Sequence, residues 1–202
     1  MRKQSKVHVV YCHPSKKSIT NSIKEGYIKG LKENNVEYTL SDLYEMNFNS
    51  DISEEEYLRE NNNKSCPYAK EVLEEQDKIN NADILTFIFP IFWMDAPAKL
   101  VGYFSRVFTK GFKYGQKNGF DESMKTLDYT NFLISVGSNY DDLRKDSKIK
   151  ALETIFVKDR MAGKTLKTSM YFFSETTYEK ELEFNNRERY YKKAEKIGRD
   201  TI

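Results

Sequence analysis

The feature that most constrains the fold of this chain is an alternation of short apolar runs with helical repeats. Residues 7–12 and 84–89 are apolar at nearly every position, which is typical of strands that are covered on both faces. Apolar residues recur every four positions after the first run, so a helix is predicted over 19–33. The same alternation then repeats along the chain.

Five strands alternate with helices in this prediction. The predicted strands lie at 7–12, 36–40, 84–89, 132–136 and 170–173. The predicted helices lie at 19–33 and 69–80, from 97, and through 149–156 and 190–197, with a weak helical stretch at 54–60. Strands that alternate with helices indicate an α/β protein, in which helices cover both faces of a parallel sheet.

Five strands in 202 residues fit a three-layer sandwich with the flavodoxin-like strand order 2-1-3-4-5 better than the six-stranded dinucleotide fold. The chain has no evident linker, so a single domain over residues 1–202 is expected. The polar connection at 43–66 is longer than usual. We expect it to be a functional flap or part of a dimer contact.

The overall charge excludes some partners. The chain has 33 Lys and Arg against 31 Asp and Glu, and the net charge of +2 gives no electrostatic case for nucleic acid. No apolar run is long enough for a membrane helix or for an export signal. Cys12 and Cys66 make no disulfide framework, so both are expected to be reduced thiols in the cytoplasm. No metal site is predicted.

The loop after the first strand, residues 13–21, opens the first predicted helix. A helix N-terminus presents free N–H groups and partial positive charge, which suit a phosphate. Lys17 adds charge, and Ser18 and Thr20 add hydroxyl groups. The alternative is that Ser18 or Thr20 only caps the helix. The loop has neither Gly-x-Gly-x-x-Gly nor a Walker lysine, which argues against a dinucleotide fingerprint and a nucleotide triphosphatase.

The loop after the third strand, residues 90–96, holds the only tryptophan, Trp93. Ligands of open α/β sheets bind at the carboxyl ends of the strands, and a flat aromatic there suggests a flat ligand. The backbone amides around 91–94 could hydrogen-bond a heterocycle edge. The alternative is that Trp93 belongs to the core. Asp95 is a candidate cap for the helix that begins at Pro97.

The loop after the fourth strand contains Gly137, Ser138 and Tyr140. Small residues permit a ligand to approach the backbone closely, although a plain turn fits these residues equally well. The three loops converge on one side of such a sheet. Together they supply a phosphate site, a wall of aromatic and amide groups, and a small-residue wall, which are what a flavin mononucleotide moiety needs.

Two long blocks of this sequence and its first loop carry a resemblance to a known family. One block reads Phe89-Pro-x-x-Trp-x-x-x-Pro-Ala-x-Leu-x-Gly-x-Phe-x-Arg-Val-Phe108 and extends to Tyr114. The other block is Ser41-Asp-Leu-Tyr-Glu-Met-Asn-Phe-Asn49, and the first loop opens with His13-Pro-x-x-x-Ser18. Together they resemble the NAD(P)H:quinone oxidoreductase family of the DT-diaphorase type, which has a flavodoxin-like fold. The resemblance implies a tightly bound flavin, either FAD or FMN, with NAD(P)H as the hydride donor.

The resemblance also implies a site. His13, Ser18 and Thr20 would hold the phosphate and ribityl side, residues 90–94 would border the isoalloxazine, and 137–140 would cover its other edge. Tyr114 would line the substrate pocket of the partner subunit of a homodimer. The candidate cofactor-binding residues are His13, Lys17, Ser18, Ile19, Thr20, Asn21, Pro90, Ile91, Phe92, Trp93, Met94, Gly137, Ser138 and Tyr140; the candidate catalytic residues are Tyr114 and Tyr140.

The activity implied is two-electron, ping-pong reduction of quinones or related electron-poor aromatics. Azo and nitro compounds are alternative acceptors for the same site. An electron carrier like flavodoxin, and an ancillary subunit of a transport system, are alternative functions. The chain departs from the family in having no histidine after Tyr140, since His8 and His13 are its only histidines.

A homodimer is also expected from the apolar surface. The aromatic residues Phe104, Phe108, Phe112 and Tyr114 are more than one small domain needs to cover, and a symmetric interface would bury them on both copies.

Overall fold

A computed structural model describes residues 5–61, 66–115, 122–176 and 180–201, with the side chains of the last range described from 186 onward. Within these ranges the strands are β1 (Val7–Tyr11), β2 (Tyr38–Asp42), β3 (Ile84–Pro90), β4 (Leu127–Ser135) and β5 (Thr165–Phe173). The helices are α1 (Ile19–Glu33), α2 (Glu54–Glu60), α3 (Lys70–Asn81), α4 (Ala98–Val107), α5 (Tyr140–Lys145), α6 (Lys148–Glu153) and α7 (Lys180–Arg199), and a π-helical turn, Thr154–Arg160, follows α6.

The five described strands form one parallel sheet in the order β2-β1-β3-β4-β5, so the predicted fold is confirmed. The central strands β1 and β3 are buried along their whole length. Their side chains alternate between two cores, one under α1 and α7 and the other under α3, α4 and the π-helical turn. That residues 1–202 form a single domain stays a prediction.

The structure differs from the sequence prediction mainly in the bounds of three strands. β2 lies two residues later than the predicted 36–40, and β4 and β5 each begin five residues before the predicted strands. The early residues of β5 are polar or exposed, as Leu166 is at 71%, because β5 is an edge strand. A search for fully apolar runs therefore misses them. The helix predicted through 149–156 is divided between α6 and the π-helical turn, and α5 was not predicted.

The long connection after β2 is fastened to α4 in its described part. Arg106 is 4% exposed, and it bonds both oxygens of Glu56 in α2, Glu71 in α3 and the carbonyl of Asn49. A Cβ added at Gly102 would lie 2.2 Å from the carbonyl oxygen of Ser50. Glycine therefore lets the connection lie directly on α4. Its role as a flap or dimer contact stays a prediction.

The aromatic residues that suggested a dimer are mostly buried within the chain. Phe104, Phe108 and Phe112 are 6%, 7% and 1% exposed, and they pack in the core beside α4. The inference of excess apolar surface was therefore wrong for these three side chains, because the π-helical turn covers the helix face that the sequence left open. Of the four, only Tyr114, at 47%, is exposed. No helix in the described part of the chain is long and apolar enough to cross a membrane.

The closest helix packing, between α1 and α7, yields a first prediction. A Cβ at Gly30 would lie 2.1 Å from the carbonyl oxygen of Glu195 and 2.7 Å from the amide of Arg199. Backbone cannot move aside cheaply, so we expect Gly30→Ala to lower the free energy of unfolding by about 1–3 kcal/mol.

Urea unfolding followed by circular dichroism would measure this loss. The matched control is Lys32→Ala on the exposed side of the same helix, which should change the stability by less than about 0.5 kcal/mol. Equal stability of Gly30→Ala and the unsubstituted protein would contradict the packing described.

Candidate functional site

A cleft of about 420 Å³ opens at the carboxyl ends of β1, β3 and β4. It is lined by His13, Ser15, Lys17, Ser18, Ile19, Thr20, Pro90, Ile91, Phe92, Ser135, Gly137 and Thr176. The strand order reverses between β1 and β3, and ligands of open α/β sheets bind at such a reversal. The volume lies within the range usual for small-molecule sites.

The hydroxyl groups of the first loop are already engaged. Ser18 caps α1, since its side chain accepts from the amide of Asn21 at 3.0 Å and donates to the carbonyl of Ser15 at 2.9 Å. Thr20 is buried, and its hydroxyl is 2.7 Å from that of Ser135 in β4. The capping alternative is therefore what the structure shows for Ser18. An anion here would depend on the amides of Ile19 and Thr20, the part of the first helical turn that Ser18 does not cap, and on Lys17.

Nδ1 of His13 contacts the backbone of Ser15 beside the cleft. It lies 2.9 Å from the amide nitrogen of Ser15 and 3.1 Å from the carbonyl oxygen of the same residue. An amide can only donate, so the shorter contact favours the neutral ring with its proton on Nε2, whereas a protonated Nδ1 would donate to the carbonyl. Burial lowers the pKa of His13, against an opposing effect of the Ser15 carbonyl. The side chain therefore meets the cleft as a neutral N–H donor.

The loop after β3 is a strained turn. Phe92 and Asp95 exchange two backbone hydrogen bonds, of 2.8 and 3.1 Å, and enclose Trp93 and Met94. Both central residues are left-handed, with φ of 51° and 62°, a geometry that usually requires glycine or asparagine. Each such residue costs of order 1–3 kcal/mol, and such strain is concentrated at functional sites.

This turn exposes its side chains and leaves backbone donors free. Trp93 is fully exposed, at 102%, so the alternative that it belongs to the core is wrong. Phe92 is 46% exposed and borders the cleft. Among the described residues, the amides of Trp93 and Met94 donate to no protein atom. The turn therefore offers unpaired N–H groups next to an aromatic wall.

The loop after β4 divides its residues between two places. Gly137 lines the cleft, whereas the carbonyl of Ser138 accepts from the amide of Glu175 at 3.2 Å. Tyr140 begins α5, and its ring centroid lies 5.7 Å from that of Phe172 in a neighbouring cavity. Tyr140 is therefore not among the residues that line the cleft.

Tyr114 lies apart from the cleft within this chain. Its hydroxyl donates to Glu60, and burial together with this carboxylate raises the pKa of Tyr114. The ring lines a cavity of about 410 Å³ that is also bordered by Phe108 and Arg160. Arg160 bonds Asp95 of the strained turn, so this cavity adjoins the turn from the other side.

Most of the predicted residues lie together, but some do not. Those that line the cleft are His13, Lys17, Ser18, Ile19, Thr20, Pro90, Ile91, Phe92 and Gly137. Those that do not are Asn21, Trp93, Met94, Tyr114, Ser138 and Tyr140. Asn21 is buried, and its side-chain amide donates to Glu25 at 2.7 Å. The functional roles of all these residues stay predictions.

The prediction missed residues that come from distant parts of the chain. Arg187 of α7 donates to the carbonyls of Lys17 at 2.8 Å and Ser18 at 3.3 Å, and to the hydroxyl of Ser22 at 3.0 Å. It supports the first loop and brings a positive charge next to it. Thr176 and Ser135 line the cleft as well. Only the position of Ser135 at the carboxyl end of a strand signalled a possible role.

These donors fit a flavin. A phosphate suits the start of α1, where Lys17 and Arg187 lie close. The isoalloxazine edge carries carbonyl oxygens and ring nitrogens that accept hydrogen bonds, and the free amides of the 92–95 turn supply donors of that kind. Gly137 leaves the opposite wall without a side chain.

Comparisons with known proteins agree with this geometry. A family model described as flavodoxin-like fold matches residues 5–157. An uncharacterized NAD(P)H oxidoreductase of Haemophilus influenzae is 35% identical over 145 residues, which is 71% of this chain and 70% of that protein. The structure of an NAD(P)H:quinone oxidoreductase from Methanothermobacter marburgensis superposes with a TM-score of 0.87 at 32% identity, covering 98% of both chains.

A further relative, the NAD(P)H dehydrogenase [quinone] 1 of Cavia porcellus, is 33% identical over 120 residues. That match covers 52% of this chain but 44% of the relative, so the chain matches less than half of that protein's length.

The fold and the cleft thus define a protein of the flavodoxin-like class, built to bind a flat ligand at the ends of β1, β3 and β4. The chain belongs to the family whose model is described as flavodoxin-like fold. The resemblance to NAD(P)H:quinone oxidoreductases found in the sequence is confirmed.

The setting of His13 makes a second prediction. Its pKa is lowered by burial, so we expect its NMR titration midpoint to lie below about 6.5. Since the fold favours the neutral ring, its contribution to stability is present above that pH and is lost as the pH falls through the lowered value.

Nitrogen-15 shifts should show the Nε2–H tautomer, and the His13→Gln variant assigns the signal against that of His8. A midpoint above about 6.5, or an Nδ1–H tautomer, would contradict the described hydrogen bond.

Proposed function

We propose that this chain is a flavin-dependent NAD(P)H oxidoreductase that reduces quinones or related electron-poor aromatics by two electrons. The observation that supports this most directly is the pairing of two features at one cleft. The start of α1 offers N–H groups and positive charge, and the strained turn after β3 offers free amides. The relatives' names point to the same class of reaction.

In this proposal the residues of the chain bind the flavin and orient it. The first turn of α1 and Lys17 hold the phosphate, and the amides of Trp93 and Met94 fix the edge of the ring. His13 adds a neutral N–H donor. The flavin, when bound, supplies the ring nitrogen that accepts hydride from NAD(P)H. Tyr140 lies against Phe172 outside the cleft, so we assign it a smaller role than the loop backbone.

We further propose that the protein is a homodimer whose partner completes the acceptor site. Trp93 is fully exposed on a strained turn, and Phe92 and Tyr114 are 46% and 47% exposed nearby. Exposed aromatic side chains grouped in this way are typical of an interface. Tyr114 would then face the cleft of the partner subunit.

The two free cysteines, Cys12 and Cys66, are consistent with a cytoplasmic protein.

The third prediction tests the cofactor. The purified protein should bind one flavin per chain, and denaturation followed by mass spectrometry identifies it as FMN or FAD. Lys17→Gln should weaken flavin binding by roughly tenfold, the effect of about 1.4 kcal/mol, because the side chain lines the phosphate end.

The matched control is the neighbouring Lys16→Gln. The side chain of Lys16 pairs with Glu45 and does not line the cleft, so this variant should bind flavin with unchanged affinity. If the protein binds neither FMN nor FAD, the proposed function is refuted. Steady NAD(P)H oxidation with a quinone, and no other protein, separates an enzyme from an electron carrier. Azo and nitro compounds are tested as acceptors in the same assay.

The fourth prediction tests the dimer. Light scattering should give twice the mass of one chain, and Trp93→Ser should shift the protein towards the monomer. Leu166→Ser is the control, since Leu166 is also exposed but lies at the amino end of β5, away from the turn. A monomer at every concentration would refute the proposed interface and would remove Tyr114 from the acceptor site.

A further inference from the structure

The strained turn at 92–95 needs a support outside itself. Its central residues, Trp93 and Met94, are left-handed without being glycine, and Trp93 has no packing that would hold it. The backbone bonds between Phe92 and Asp95 close the turn but do not fix its direction. The side chain of Asp95 reaches further, and it accepts from the amide of Ala96 at 2.7 Å and from Arg160.

Arg160 is well placed to act as that support. Its Nη2 donates to the two carboxylate oxygens of Asp95 at 3.1 and 3.4 Å. The guanidinium carbon lies 4.6 Å from the ring centroids of both Phe104 and Phe156, which are buried. The side chain of Arg160 is only 13% exposed. Cation–π contact with two core rings leaves the guanidinium little freedom.

The position of Arg160 in the chain also favours a role in supporting the strained turn. It is the last residue of the π-helical turn Thr154–Arg160, and such turns occur frequently at functional sites. The turn packs Phe156 into the core, so the guanidinium is attached to a rigid element rather than to a loop. The Asp95 carboxylate is 42% exposed, and its other described hydrogen bond is local, from the amide of the adjacent Ala96.

We infer that Arg160 is a positioning residue, which acts through Asp95 to hold the 92–95 turn in place at the edge of the cleft that Phe92 lines. The inference rests on the proposed function, because it gives the free amides of this turn a purpose in flavin binding. It differs from a role in the acceptor site, although Arg160 also borders the cavity of Tyr114. A positioning residue changes the affinity for flavin, whereas an acceptor contact changes the KM for the acceptor.

Trp93 makes the inference testable without any cofactor. It is the only tryptophan, and it stands fully exposed at the tip of the turn. Time-resolved fluorescence anisotropy of the flavin-free protein therefore reports the motion of this turn alone. Arg160→Met and Asp95→Asn should both increase the amplitude of fast local motion. Asn keeps an oxygen for the Ala96 amide, so Asp95→Asn removes chiefly the ion pair.

Two further variants and a control sharpen the experiment. The turn of the double variant should show no more fast local motion than the turn of either single variant, because each substitution removes the same contact. Arg160→Lys should restore part of the order, since lysine keeps the charge but lacks the planar group. Arg199→Met is the control, because it removes another ion pair, with Glu33, on α1 and α7. It should leave the Trp93 signal unchanged.

Flavin binding gives the second readout. Arg160→Met and Asp95→Asn should raise the Kd for flavin by about tenfold, with the KM for the quinone unchanged at saturating flavin. An unchanged Trp93 signal, additive effects in the double variant, or a changed KM with unchanged Kd would overturn the inference. If the protein binds no flavin at all, the proposed function fails while the anisotropy still decides whether Arg160 holds the turn. Should Arg160→Met not fold, the more exposed Asp95→Asn carries the test.

Discussion

The parallel register of the central strands is the constraint on which the site depends. Pro90 lies opposite Ser135, so β3 and β4 end at one level, and β1 ends two residues earlier, with Tyr11 opposite Ile88. Their loops must leave the sheet side by side. The bond between Thr20 and Ser135 then fastens the first helix to the fourth strand at the floor of the cleft. Residues separated by more than a hundred positions meet because the sheet aligns them.

Much of the fold could be predicted because strands that are buried on both faces appear in the sequence as continuous apolar runs. The bounds of α1 and the position of β3 follow from apolar spacing alone. The beginning of β5 could not be predicted, since β5 is an edge strand and residues such as Leu166 contact water. The beginning of β4 was missed because it carries polar residues, of which Thr130 and Asn131 are buried. The burial of Phe104 and Phe108 was misjudged because the π-helical turn that covers them has no sequence pattern of its own.

The residues of the site likewise fall into those that could be predicted from the sequence and those that could not. Residues of the three loops could be placed from strand order, because the loops follow the strands directly. Arg187 could not be, since it reaches the first loop from α7 by tertiary packing. Thr176 follows the edge strand β5, which was not expected to contribute to the cleft. The exposure of Trp93 was equally hidden, because a turn built from Trp and Met contradicts the residue preferences that normally reveal one. Local rules fail where the chain is held in place by a distant contact.

The dependence of the first loop on α7 has a consequence for biosynthesis. Arg187 supports the carbonyls of Lys17 and Ser18, and Tyr190 and Ala194 cover the core side of Ile23 and Tyr27. Until α7 has emerged from the ribosome, α1 can pack only on the sheet, and the loop before it lacks the support of Arg187. The first loop therefore reaches its final form only after α7 has been made. A nascent chain stalled before α7 would leave uncovered the side of α1 that packs on that helix, where chaperones could bind.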